Sequence, residues 1–225
     1  MSEQTNNFDI VNNWLGWGDP KHGLWFIGME EGAVFEKSSI EPRRNKNFST
    51  VAGNETAEWP IANKTAKIIS KLCNIKNVKK YRDSVMWHKE SQIFNGNLFP
   101  LGKPSLKNWP NHYKELFGYD LNNIDEYINK IELDRYRNFK KFQQDYAPQA
   151  IICFGKNYWN KFEKVFVKFP ENKQKYENLN IVVYEEDKVI LTGHISYGTH
   201  FTNKALSFVV DTLSRWKVLE DNKTE

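Results

Sequence analysis

Cysteine is scarce in this chain: 225 residues hold two, Cys73 and Cys153. Two thiols cannot build a four-cysteine zinc or iron–sulfur site. Each sits in an apolar run, KLCNI and AIICF, so both are expected as buried, reduced side chains. No apolar run approaches the ~20 residues that a membrane-spanning helix needs. The opening MSEQTNNFDI has neither a basic head nor an apolar stretch, so no signal peptide is expected and a cytoplasmic setting is the default. The Gly-x-Ser-x-Gly elbow, the Walker loop and the dinucleotide Gly-x-Gly-x-x-Gly fingerprint are all missing, and Ser196 lies too near His194 in sequence to make a serine triad the default. There is no internal repeat and no strong excess of one charge. Lys and Arg number 32 against 28 Asp and Glu, a formal net charge of +4 with a pI of about 8.8. That balance permits a polyanionic partner without demanding one.

What is plentiful is apolar and aromatic material, 40% and 15% of residues, with eight Trp. This is ample for one large core, so residues 1–225 read as a single domain whose ends, about 1–7 and 219–225, are expected to be flexible. Strands are expected over Leu24–Met29, Ser91–Phe99, Ala150–Phe154, Ile181–Tyr184 and Lys188–Thr192. LWFIG and AIICF are continuous apolar runs, which suit strands covered on both faces. Helices are expected over Asp9–Leu15, Thr56–Leu72, Ile124–Tyr146, Tyr158–Val167 and Thr202–Trp216. Ile124, Ile128, Ile131, Phe139 and Phe142 form the inner stripe of the longest, and Arg135 interrupts it. Strands alternating with helices predict an α/β fold: a three-layer α/β/α sandwich around a mostly parallel sheet of about four or five strands. Residues 36–57 and 100–110 read as loops. The first is polar and about twenty residues long, a length that is uncommon in compact domains and often functional.

In such sheets, sites form beyond the carboxyl ends of the strands. The first strand delivers Gly28-Met29-Glu30-Glu31-Gly32, an apolar run closed by two acids. The second delivers Asn95 and Asn97. The AIICF strand ends at Gly155, and the last delivers His194 and Ser196 after Gly193. Each piece has an ordinary alternative: an ion-paired Glu, a turn Asn, a hydrogen-bonded structural His. Their order and their glycines make the set informative. A carboxylate, an amide and an imidazole can meet at one sheet edge.

With those segments in that order, the chain resembles the uracil-DNA glycosylase superfamily, an α/β/α fold. Its single-strand-selective branch carries Gly-Met-Asn-Pro-Gly after the first strand, its mismatch-specific branch Gly-Ile-Asn-Pro-Gly, and its classical branch Gly-Gln-Asp-Pro-Tyr-His. The last motif begins His-Pro-Ser, where this chain has His194-Ile195-Ser196. The resemblance spans roughly residues 23–210 through four short patches. Two prolines depart, Glu31 standing in one position and Ile195 in the other, so both loops lose a rigid φ constraint. The iron–sulfur branches need four cysteines, which this chain lacks.

The resemblance implies hydrolysis of the N-glycosidic bond of uracil or a related damaged base in DNA, with no cofactor and no metal. Glu30 is the implied catalytic carboxylate, aligning water and stabilising the sugar cation; His194 is the implied donor to the base oxygen. Asn95, or else Asn97, reads the base edge, Phe35 stacks on the base, and Met29 lines the same pocket. Ser196, Tyr197, Arg43, Arg44 and Lys46 are candidate DNA contacts, and single-stranded or base-damaged DNA is the expected partner. A neutral imidazole suffices for His194. Core packing is the plain alternative for Phe35, and a metal held by His194, His200 and Glu30 is the weaker reading of those groups. Two other functions fit the same residues: an inactive nucleic-acid-binding module, or a hydrolase or transferase acting on small nucleosides or nucleotides.

Overall fold

The computed structural model describes residues 3–30, 34–50, 59–102, 109–118, 124–196 and 200–220. Along the chain run helix α1 (Glu3–Asn13), strands β1 (Gly16–Gly18), β2 (Leu24–Gly28) and β3 (Phe48–Ser49), and helices α2 (Pro60–Leu72) and α3 (Val78–Ser84). Strand β4 (Ile93–Asn97), helices α4 (Tyr113–Phe117) and α5 (Ile124–Tyr146), strand β5 (Ala150–Phe154) and helix α6 (Trp159–Phe166) follow. Strands β6 (Lys173–Tyr176), β7 (Ile181–Tyr184) and β8 (Val189–Thr192) and helix α7 (Asn203–Arg215) complete the series.

The eight strands among the described residues join one sheet in the order β3-β1-β4-β2-β5-β8-β7-β6. The four central strands, β4, β2, β5 and β8, are mutually parallel, while β1 and β7 run antiparallel to their inner neighbours. The α/β class is as expected, but the sheet is larger than four or five strands. The additions are β1, β3 and β6. They are two to four residues long, and β6 is KQKY, exposed over most of its length; neither the length nor the composition carries a strand signal. The segment 36–57, expected as an open loop, is partly pinned: it holds two short 3₁₀ turns and β3, which pairs with β1.

Side chains alternate across the sheet. Leu24, Phe26, Ile93, Ile152, Phe154 and Ile190 pack with Ala66, Ile69 and Val209 of α2 and α7. Trp25, Ile27, Phe94, Ile151, Cys153 and Leu191 pack with Val11, Tyr113, Ile131, Phe139 and Phe162 of α1, α4, α5 and α6. Helices therefore cover both faces, which is why the central strands read as unbroken apolar runs. Cys73 and Cys153 are buried in these clusters, and neither forms a disulfide. Helix α1 begins at Glu3, and Leu219 is buried with its N–H donating to Gln149 Oε1.

The polar interruption in α5 has a specific task. Arg135 is 1% exposed, and its guanidinium donates to the carbonyls of Val11, Asn12 and Trp14 at the end of α1 and to those of Asn97, the last residue of β4, and Leu98 just after it. One cation thus satisfies helix-end carbonyls that have no intrahelical partner and fixes the turn that follows β4.

Candidate functional site

The register of the parallel strands sets the edge. Gly28 pairs with Asn97, and Phe154 with Thr192, so β4, β2, β5 and β8 deliver their last residues along one carboxyl rim. Asn95, Asn97, Gly28, Phe154 and Thr192 fall on the α2/α7 side by the two-residue alternation of strands. Local packing agrees with the grouping. A Cβ built on Gly28 would stand 2.8 Å from Asn97 Oδ1 and 2.8 Å from the Phe154 ring, so the amide and the ring close over that glycine. The Phe154 ring meets the His194 ring edge-on, with centroids 5.6 Å apart. Asn97, Gly28, Phe154 and His194 thus form one chain of contacts across four strands. Asn95 lies two residues deeper, 5% exposed, and its Oδ1 has no hydrogen-bond partner. A buried acceptor without a partner costs about 1–3 kcal/mol, so its retention calls for a reason.

His194 is held in a defined state. Gly193 lets the chain turn tightly off β8: a Cβ there would lie 2.4 Å from the His200 carbonyl oxygen, so the loop that leaves at His194 returns against its own start. Within it, the Ser196 N–H donates to His194 Nδ1 at 3.3 Å. Burial, and secondarily the charge of His200, holds the imidazole below the ordinary histidine pKa. Both effects favour the neutral ring with Nδ1 accepting, and therefore with the proton on Nε2. The end of β8 is braced by Trp159, whose indole N–H donates to the Thr192 carbonyl at 3.0 Å.

Glu30 occupies the opposite flank of the same rim. It is half-buried, and its charge raises the phenol pKa of Tyr127 and of Tyr158, in both cases behind the larger effect of burial. Those tyrosines belong to the α5/α6 side and flank Phe99, with ring centroids 6.4 and 6.0 Å from it. Met29 also faces that side, its Cγ 3.0 Å from where a Gly155 Cβ would stand. The amide and imidazole therefore share one flank, and the carboxylate with Met29 the other. Neighbouring strands lie ~4.8 Å apart, so β4 and β8, three steps apart, end about 14 Å from each other.

No protein-family model matches this chain, and no curated protein matches it.

Other expected site residues fare differently. Phe35 is 3% exposed and serves the core: its N–H donates to the Tyr113 hydroxyl and its carbonyl meets His112 Nε2 at 2.9 Å. Arg43, expected to meet phosphate, is turned inward at 8% exposed, its guanidinium over the rings of Phe35, Trp14 and Trp17 at 4.7, 5.3 and 5.6 Å. Arg44 forms a two-pronged pair with Glu41, and Lys46 is exposed. Ser196 contributes through its backbone. Glu31 and Tyr197 lie outside the described residues. Phe154 and Tyr158 are the neighbours that sequence reasoning missed; for Phe154 a signal existed, since alternation from Gly155 places it on the Gly28 face. Among the described residues, no group of three or more His, Cys, Asp or Glu could hold a metal ion, and no helix is long and apolar enough to cross a membrane.

Proposed function

We propose that the protein is a DNA glycosylase-like hydrolase that releases uracil or a related damaged base, and that it is a divergent relative of the uracil-DNA glycosylase superfamily with a three-layer α/β/α architecture. The observation that carries this reading is His194: a part-buried ring whose Nδ1 accepts a backbone N–H, on the same flank as two asparagine amides, with burial pushing its pKa down and so favouring the neutral form. A neutral Nε2–H donor and an amide facing one another across a flank are what a pyrimidine's carbonyl and imide edge requires. The base lies on the Asn–His flank and the sugar over the strand ends toward Glu30.

In the reaction, the bond between the sugar's anomeric carbon and the base nitrogen breaks, and its electron pair stays with the base. The Nε2–H of His194 stabilises the charge that develops on the base oxygen. The Glu30 carboxylate stabilises the cationic sugar and takes a proton from the water whose oxygen bonds to the anomeric carbon. The base anion gains its proton from solvent on release, so the products are free base and an abasic sugar. Asn95 or Asn97 pairs with the base edge; the unpartnered Asn95 Oδ1 supports the first.

Uracil-containing single-stranded and duplex oligonucleotides, scored for abasic sites by alkaline cleavage on a gel, test the proposal. Cleavage that persists after Glu30→Ala and His194→Ala are combined would refute the roles assigned. Salt-sensitive binding without base release would favour an inactive binding module. Release from a mononucleoside but not from an oligomer would favour a small-nucleoside hydrolase.

A further inference from the structure

The chain's positive charge is unevenly spread. Residues 60–82 carry seven basic residues, six Lys and Arg82, and no Asp or Glu; the rest of the chain holds 25 basic against 28 acidic residues. The formal +4 thus resides entirely in this segment, which is α2, a turn and α3. Arg82 near the end of α3 donates to Asn63 in the first turn of α2, so the two helices lie side by side and antiparallel. Val78 and Tyr81 anchor α3 on the apolar cluster beneath.

Lys67, Lys71, Lys76, Lys79 and Lys80 are exposed, and Lys64 is half-buried. Lys64, Lys67 and Lys71 follow helical spacing along one stripe, and Lys79 and Lys80 stand on the adjoining helix. Among the described residues none of the six lysines is in an ion pair. Asp83 is engaged by Arg82 at 2.6 Å and also lies within reach of the charge of Lys79, four residues before it on α3, so it offsets part of the cationic charge at that end of the face. Helix-dipole stabilisation accounts for Lys71, in the last turn of α2, but not for Lys76, which lies in the turn just before the N-cap of α3. It does not account for Lys64 and Lys67 in the first two turns, where cations gain nothing from the dipole. No i,i+4 acid compensates them. A pre-arranged, self-repelling cationic face is explained by an external polyanion.

We infer that the exposed face of α2 and α3 docks the phosphate backbone of DNA. The choice of DNA as the polyanion rests on the function proposed above. The face lies on the same side of the sheet as Asn95, Asn97 and His194, so a strand held there runs past the flank that receives the base. Single-stranded and duplex DNA carrying a fluorophore, titrated by anisotropy between about 50 and about 200 mM salt, measure the contact directly.

Reversal of Lys67, Lys71, Lys79 and Lys80 to Glu is expected to weaken binding at least about tenfold and to make the slope of log affinity against log salt shallower by about 3, at ~0.7–0.9 for each phosphate no longer neutralised. The charge-matched reversal of Lys140, Lys168, Lys173 and Lys175, all exposed elsewhere, is expected to leave both nearly unchanged. Circular dichroism melts establish that each variant is folded. Equal losses in the two variants, absent binding at low salt, or equal affinity for polyglutamate would overturn the inference. Binding retained by a Glu30→Ala, His194→Ala protein supports it even where no base is released, which separates this surface from the chemistry.

Discussion

Replacement of Arg135 by Met should be among the most damaging single changes to this fold. The side chain is nearly fully buried and donates to five main-chain carbonyls, three at the end of α1 and two at the end of β4 and just after it. Methionine fills a similar volume but donates nothing. Each buried acceptor left bare costs about 1–3 kcal/mol, and the losses are not additive because some carbonyls recover water or shift. Removing one partner from a buried charged contact costs about 3–5 kcal/mol, against a total stability of about 5–15 kcal/mol. With a urea slope of about 2 kcal/mol per molar, the unfolding midpoint should fall by roughly 2 M. Arg135→Lys should fall between, because one ammonium cannot span both groups of carbonyls. Urea titration followed by far-UV circular dichroism reads these shifts. A midpoint within about 0.5 M of wild type would refute the idea that this cation ties α1 to the β4 rim.

Other outcomes follow from the rim itself. Gly193→Ala places a Cβ 2.4 Å from the His200 carbonyl oxygen, so the backbone of the His194 loop must move; base release should drop at least about tenfold, and the overpacking should lower stability by about 1–3 kcal/mol, read as a fall in melting temperature. Asn95→Leu removes a buried acceptor that has no partner, so stability should stay within about 1 kcal/mol of wild type while base release is lost. Because burial lowers the pKa of His194, the neutral imidazole survives below the ordinary value of ~6.5, and the acid limb of the pH–rate profile should lie below that value. The same shift has a stability consequence. Below ~6.5 the unfolded chain takes up a proton that the folded ring resists, so this histidine's contribution is full above that pH and falls as pH drops toward the folded pKa; His194→Gln should flatten that part of the stability–pH curve.

Much of the fold was legible in the sequence where burial is two-sided. Ala150–Phe154 and Ile181–Tyr184 match their expected bounds, as does Ile124–Tyr146, because unbroken apolar runs and a long helical stripe are strong signals. The weak points were edge elements. Gly16–Gly18 and Lys173–Tyr176 are strands only because a neighbour supplies the ladder, and no local preference announces them. Among the site residues, Gly28, Asn97 and His194 reach one rim because each stands at or just past the end of a parallel strand, with Asn95 two residues deeper. Phe35 takes the core-packing alternative, and Arg43 was not legible: a cation in a polar loop reads as exposed, yet the rings of Phe35, Trp14 and Trp17 surround it. Only tertiary packing decides such a case. Arg135 shows the same limit, since a charge in an apolar stripe has meaning only once the carbonyls of α1 and β4 converge on it.

The most direct test of the account is a time course of free uracil liberated from a uracil-bearing single-stranded oligonucleotide, measured by chromatography for the wild type, Glu30→Gln and His194→Ala. Steady release by the wild type is expected, with a loss of at least about a hundredfold in each variant and binding intact. Undiminished release by either variant, or none by a folded, DNA-bound wild type, would contradict it.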